Sequence, residues 1–97
     1  MVETIESAIQ NLSVIKLSYH GFHRLVEPHA YGVNNLGHDV LRCWQVSGGS
    51  VSGEPQGWKL LRVSEIASIT NSGTSFSGAR SGYRKGDKHM VRIHAEL

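Results

Sequence analysis

The apolar period of this chain changes from about 3.6 to two at Val14 and stays at two through five successive short runs. No other feature restricts the fold as strongly. Before the change, Ile5, Ala8, Ile9 and Leu12 are spaced for one face of a short helix over residues 2–11. Glu3 and Glu6 fall in its first turns, where the helix dipole favours negative charge. After it, Ile15, Leu17 and Tyr19 alternate with Lys16 and Ser18, which predicts a half-buried strand. His20-Gly21-Phe22 turns the chain into a second strand at about 23–33, where Pro28 demands an edge, a bulge or a bend. Asn34 to Gly37 is a turn, because Asn and Gly tolerate positive φ. In a third strand at 39–47, Leu41, Cys43 and Gln45 face one way and Val40, Arg42, Trp44 and Val46 the other. A polar loop over 47–57 leads to strands at 58–63 and 66–70. Five short strands with no helix between them predict a mainly β fold, a small, strongly bent five-stranded antiparallel barrel behind a short N-terminal helix.

Ninety-seven residues hold one small core. A charged fraction of 19 %, below the usual ~25 %, argues against a disordered or coiled-coil chain. Cys43 is alone, so no internal disulfide forms, and the expected compartment is reducing and cytoplasmic. No apolar run approaches a membrane span and no signal peptide is read, so no membrane association is expected. The last quarter differs from the rest. Residues 71–86 are polar, with Phe76 and Tyr83 interspersed, and read as an extended arm. From 80 to 92 the chain carries Arg80, Arg84, Lys85, Lys88 and Arg92 against Asp87 alone. Asp87 is placed to cap a final short helix with Met90, Ile93, His94 and Leu97 on one face. The expected organisation is a barrel with its helix over 1–70 and a basic C-terminal extension over 71–97. A ten-residue helix is marginal alone, so it must dock on its own barrel, on a second copy in a homodimer, or on a partner protein.

The chemistry-bearing motifs are few. There is no P-loop, dinucleotide fingerprint or nucleophile elbow. Cys43 lies mid-strand beside Trp44 and reads as a small buried thiol. His20 and His23 flank a turn, and no Cys or carboxylate stands at ligand spacing from them or from His29, so no metal is expected. Glu27, Glu54 and Glu65 form no recognisable acid–base pair. Neither an enzymatic activity nor a cofactor is therefore expected. What remains is cations near aromatics: Arg42 with Trp44 on one strand, Trp58 with Arg62 on the next. Such strands could grip a phosphate with guanidinium and stack a base on an indole. In the ordinary structural alternative, both tryptophans belong to the core and both arginines pair with carboxylates at its rim.

One family shares this order of elements. Ile5-x-x-Ala8-Ile9, Tyr19, Arg24-Leu-Val-Glu-Pro28, Trp44-Gln45-Val46 and Leu61-Arg62-Val63-Ser64-Glu65-Ile66 resemble, in sequence and spacing, the WYL domain of bacterial regulators. The resemblance spans about residues 5–70. Gln45 and Val46 replace the Tyr and Leu of the naming triplet, and Ser64-Glu65 replaces Asp-Arg, which removes one basic group of the usual pocket. It implies an Sm/SH3-like β-barrel that senses a ligand, often a nucleotide or nucleic acid, and controls a transcription regulator or an effector. By that resemblance Arg24, Trp44 and Arg62 match binding positions, and Lys59 sits where a basic residue often precedes the last motif. Only about 13 residues precede the first strand, too few for a helix-turn-helix, so major-groove reading is not expected from this chain. The expected function is a non-enzymatic regulatory module that binds a nucleotide or short single-stranded nucleic acid. Arg24, Arg42, Lys59 and Arg62 would contact phosphate, Trp44 would stack or wall the pocket, and Arg84 and Lys85 would add charge. The alternative is a protein-interaction or oligomerisation module that regulates a partner without nucleic acid.

Overall fold

A computed structural model describes all 97 residues. Its elements are α1 (Val2–Asn11), β1 (Ser13–Tyr19), β2 (Phe22–Val33), β3 (Asp39–Gly48), β4 (Gly57–Arg62), a single 3-10 turn (Val63–Glu65), β5 (Ile66–Ser75) and β6 (Arg92–Glu96). The helix buries Ile5, Ala8 and Ile9, as its spacing predicts. It ends at Leu12, whose left-handed backbone lets its N–H reach the carbonyls of Ala8 and Ile9.

The fold is mainly β and the strands are antiparallel, in the order β4-β3-β2-β1-β5. Two expectations need correction. The hydrogen-bonded path does not close into a five-stranded barrel, because β4 and β5 remain its two unpaired ends. The terminal helix does not form either: residues 92–96 are a sixth strand, paired with β2. The second correction traces to β2. At 12 residues it outruns β1, which pairs only with Phe22 to Val26, and leaves Ala30 to Val33 with a free edge. β6 fills that edge, with Tyr31 opposite Ala95 and Gly32 opposite Ile93. Asp87 does cap a turn through the amides of His89 and Met90, but the chain leaving it is extended. β5 runs on through residue 70 to Ser75, so the C-terminal extension begins inside the sheet and its last strand ends in it.

Pro28 produces the irregularity its ring demands. Pro28 pairs with Cys43 and Ala30 with Arg42, which leaves His29 as the extra residue of a β-bulge. The sheet has two buried faces. Towards α1 lies the main core of Ile5, Ile9, Ile15, Leu17, Val26, Tyr31, Leu41, Cys43 and their neighbours. On the far side, residues 76–91 fold over β2, β3 and β4, and Met90 joins Ala30 and Val40 in a second small cluster. The predicted faces of β3 hold: Leu41, Cys43 and Gln45 are inward, while Arg42 and Trp44 stand under this covering segment. No helix is long and apolar enough to cross a membrane.

Candidate functional site: a cationic cleft over β3 and β4

The covering segment does not seal the far face. Between it and the sheet lies an open cleft of about 740 Å³, lined by Arg42, Trp58, Tyr83, Arg84, Lys85, Asp87, Lys88 and His89. Strand pairing sets its floor. Trp44 lies opposite Trp58 across β3 and β4, and their rings meet edge to face with centroids 5.4 Å apart. Trp58 lines the cleft and Trp44 backs it. Gly82 lets the segment approach, since a Cβ there would lie 3.3 Å from the indole nitrogen of Trp58.

The charge of the cleft is unbalanced. Arg42, Arg84, Lys85 and Lys88 face a single carboxylate, Asp87. Arg42 neutralises that carboxylate, donating from Nε to Oδ2 at 2.7 Å, while its Nη2 lies 2.8 Å from Nδ1 of His89. Burial works against the charge on Asp87. The hydrogen bonds from Arg42 and the His89 amide, with the surrounding positive charge, outweigh burial and hold the carboxyl below its usual range. Arg84, Lys85 and Lys88 are exposed, and no carboxylate pairs with any of them. Three unneutralised cations beside an indole make an anion-receptive surface.

A latch holds the segment in place. Arg80 grips Glu27 with two donors, Nε to Oε1 at 2.7 Å and Nη2 to Oε2 at 3.0 Å. The Arg80 guanidinium also lies over the Trp44 ring, 5.3 Å from its centroid. The backbone N–H of Arg80 donates to Nε2 of His29 at 3.0 Å. Glu27 is 5 % exposed and His29 fully buried. Around the imidazole stand Trp58 at 4.8 Å, Tyr83 at 5.1 Å and Phe76 at 5.6 Å between ring centroids.

The residues expected to bind are thus divided. Arg42, Arg84 and Lys85 come together in the cleft, with Trp44 immediately behind its wall. Arg24 and Lys59 do not join them. Arg24 is 4 % exposed in the inward face of β2, donating to Gln45 and to the Tyr19 carbonyl, with Nε unpartnered. Lys59 pairs in register with inward Cys43 and donates to Ser50 and to the Glu54 carbonyl. Arg62 sits elsewhere again, bound to Glu65 at 3.3 Å and to His38. Against the alternative that puts both tryptophans in the core, each is half-buried on the far face and outside the main cluster. Its rim-pairing half describes Arg42 and Arg62.

Trp58, Tyr83, Asp87, Lys88 and His89, with Gly82 and Gly86, complete the lining, and only Trp58 carried a binding signal in its strand pattern. No group of three or more histidine, cysteine or carboxylate side chains converges in a way that would hold a metal. The Cys43 thiol is buried, and burial pushes it up to about 12 against the nearby Arg42, Arg24 and Lys59 charges. We expect no reaction of Cys43 with a thiol-specific chromophoric reagent at pH 8 in the native protein, and one equivalent in denaturant. Rapid native labelling would show that the strand opens.

Fold and site together define a small antiparallel β domain with a cationic, aromatic-walled cleft on the face opposite its helix. No family model matches the chain, and no curated protein or solved structure matches it significantly.

Proposed function

We propose that this protein is a non-enzymatic, WYL-like module of Sm/SH3-barrel type that binds an anionic ligand, a nucleotide or a short single-stranded nucleic acid, in the cleft. The observation that carries this is the set of three unpaired cations, Arg84, Lys85 and Lys88, around a cleft whose wall is Trp58. Cations supply the phosphate contacts and the indole a π-face for a base, a combination that tolerates any sequence. A barrel-like curl of this open sheet is supported by the connection between its ends: β4 and β5, though outermost and not paired with each other, are joined by a turn of only three residues. It is also supported by the N-terminal helix packed on the inward face, in keeping with the motif order over 5–70. Relative to the resemblance alone, the contact set moves from Arg24, Lys59 and Arg62 to Arg84, Lys85 and Lys88, with Arg42 held beside them by Asp87. The regulatory role is taken from the motif order over 5–70, which resembles a ligand-sensing domain.

The test is titration of labelled oligothymidylate, and separately of a labelled nucleoside triphosphate, at several salt concentrations. Three phosphate contacts on a single strand predict a log–log salt slope of about −2. Affinity should therefore drop about 15- to 20-fold between 50 and 200 mM salt. A salt-insensitive interaction, or none at micromolar protein in low salt, would sink the proposal.

A further inference from the structure

We infer that His29 is a proton-sensitive latch for the segment 76–91, so that acidification releases the segment and with it the cationic side of the cleft. Both ring nitrogens are committed. Nδ1 lies 2.8 Å from the backbone carbonyl of Glu27, which only accepts, so Nδ1 carries the proton. Nε2 lies 3.0 Å from the Arg80 N–H, which only donates, so Nε2 must be bare. The geometry therefore requires a neutral imidazole of one tautomer. A second proton would set an N–H against an N–H and place a charge where no solvent reaches.

From β2, Glu27 favours a charged ring; from the covering segment, Arg80 disfavours it, and the two charges are already paired with each other. Tyr83, from the same segment, stays neutral, held above its ordinary value chiefly by burial. From β4, Trp58 does not titrate. From β3, Arg42, opposite Ala30, is engaged by Asp87, and Cys43, opposite Pro28, is a buried thiol. From β6, Glu96 pairs in register with Ala30 and accepts the Gly86 amide. Burial dominates and lowers the pKa of His29, with Arg80 adding to it and the Glu27 carbonyl and carboxylate opposing.

The sign follows. The released form takes up a proton at the ordinary value of about 6.5, the latched form only below it. Between those values the released form binds more protons, so latching weakens as pH falls. The segment carries Arg84, Lys85 and Lys88, so release disperses the cleft. Simple electrostatics predicts the opposite, since further protonation of a cationic cleft should tighten an anion.

Release of the segment stands without any ligand; only its effect on binding rests on the function proposed above. The experiment uses the full chain at constant ionic strength, at pH 7.5 and pH 5. Hydrogen exchange of the Arg80 amide, corrected for intrinsic rates, reads the latch, and labelled oligothymidylate reads the cleft. We expect protection to fall at least tenfold at pH 5 and oligonucleotide affinity to fall with it. His29→Gln, which offers a carbonyl acceptor that cannot titrate, should keep protection at both pH values. Should that variant not fold, ring nitrogen shifts of the wild type decide: a proton on Nε2 at pH 7.5, or titration at or above 6.5, overturns the latch. Protection independent of pH in the wild type also overturns it. Protection that falls with acid in a protein that binds no oligonucleotide at either pH leaves the latch standing and removes the proposed function.

Discussion

Gly32→Ala is expected to unseat β6 and to destabilise the protein by about 3 kcal/mol. Gly32 has an ordinary extended backbone that alanine adopts without strain, so the cost arises from space alone. A methyl group there would overlap the Arg92 carbonyl oxygen and come within 2.9 Å of the Met90 sulfur and 3.1 Å of the Ile93 Cα. Two of those three obstacles are backbone, which cannot rotate aside. For a domain of this size that loss lowers Tm by roughly 12–24 °C. Because Met90 anchors the end of the covering segment, oligonucleotide affinity should fall in the same variant. A Tm within two or three degrees of wild type would show that β6 contributes little.

The second large effect separates binding from folding. Replacing Arg84, Lys85 and Lys88 together by Gln should weaken oligothymidylate binding by between tenfold and about 100-fold at 50 mM salt, since each exposed ion contact contributes up to about fivefold. The salt slope should flatten towards zero. These side chains are exposed and hold no carboxylate, so Tm should stay within a few degrees. Arg42 offers no such separation. Its partner Asp87 is only 8 % exposed, so truncating Arg42 strands a buried carboxylate and costs folding as well. A triple variant that binds as tightly as wild type would place the ligand elsewhere or remove it.

Much of this architecture can be read from the residues, where its causes are local. The period-two runs locate the first five strands, the alternation at Leu41, Cys43 and Gln45 gives the inward face of β3, and Pro28 marks the bulge. The helix/strand ambiguity at the end of the chain shows where local reading stops. Met90, Ile93, His94 and Leu97 suit a helix, yet Ile93 and Ala95 equally suit a strand, and five residues cannot separate the two periods. The decision lies about 60 residues away, in the edge of β2 that β1 is too short to cover. The site divides in the same way. Arg84 and Lys85 are legible as charges on a polar arm, because exposure and charge are local properties. The ion pair of Arg80 with Glu27 spans 53 positions and has no sequence signature. Arg24 has the parity of Val26 in β2, which places it inward and away from the cleft.

The arrangement of strands around β2 also has a kinetic side. β1 and β3 flank β2 in the chain and reach it by short loops, whereas β6 arrives across most of the length of the domain. Closing that long loop is slow relative to zipping the hairpins. We therefore expect β6 to be the last strand to dock and the first to peel away under load. The protein then has a natural partially open form, in which the sheet and α1 persist while the covering segment swings free. Nascent chains, pulled molecules and acidified samples would all pass through it, and in each case the cleft would be the first thing lost and the last restored.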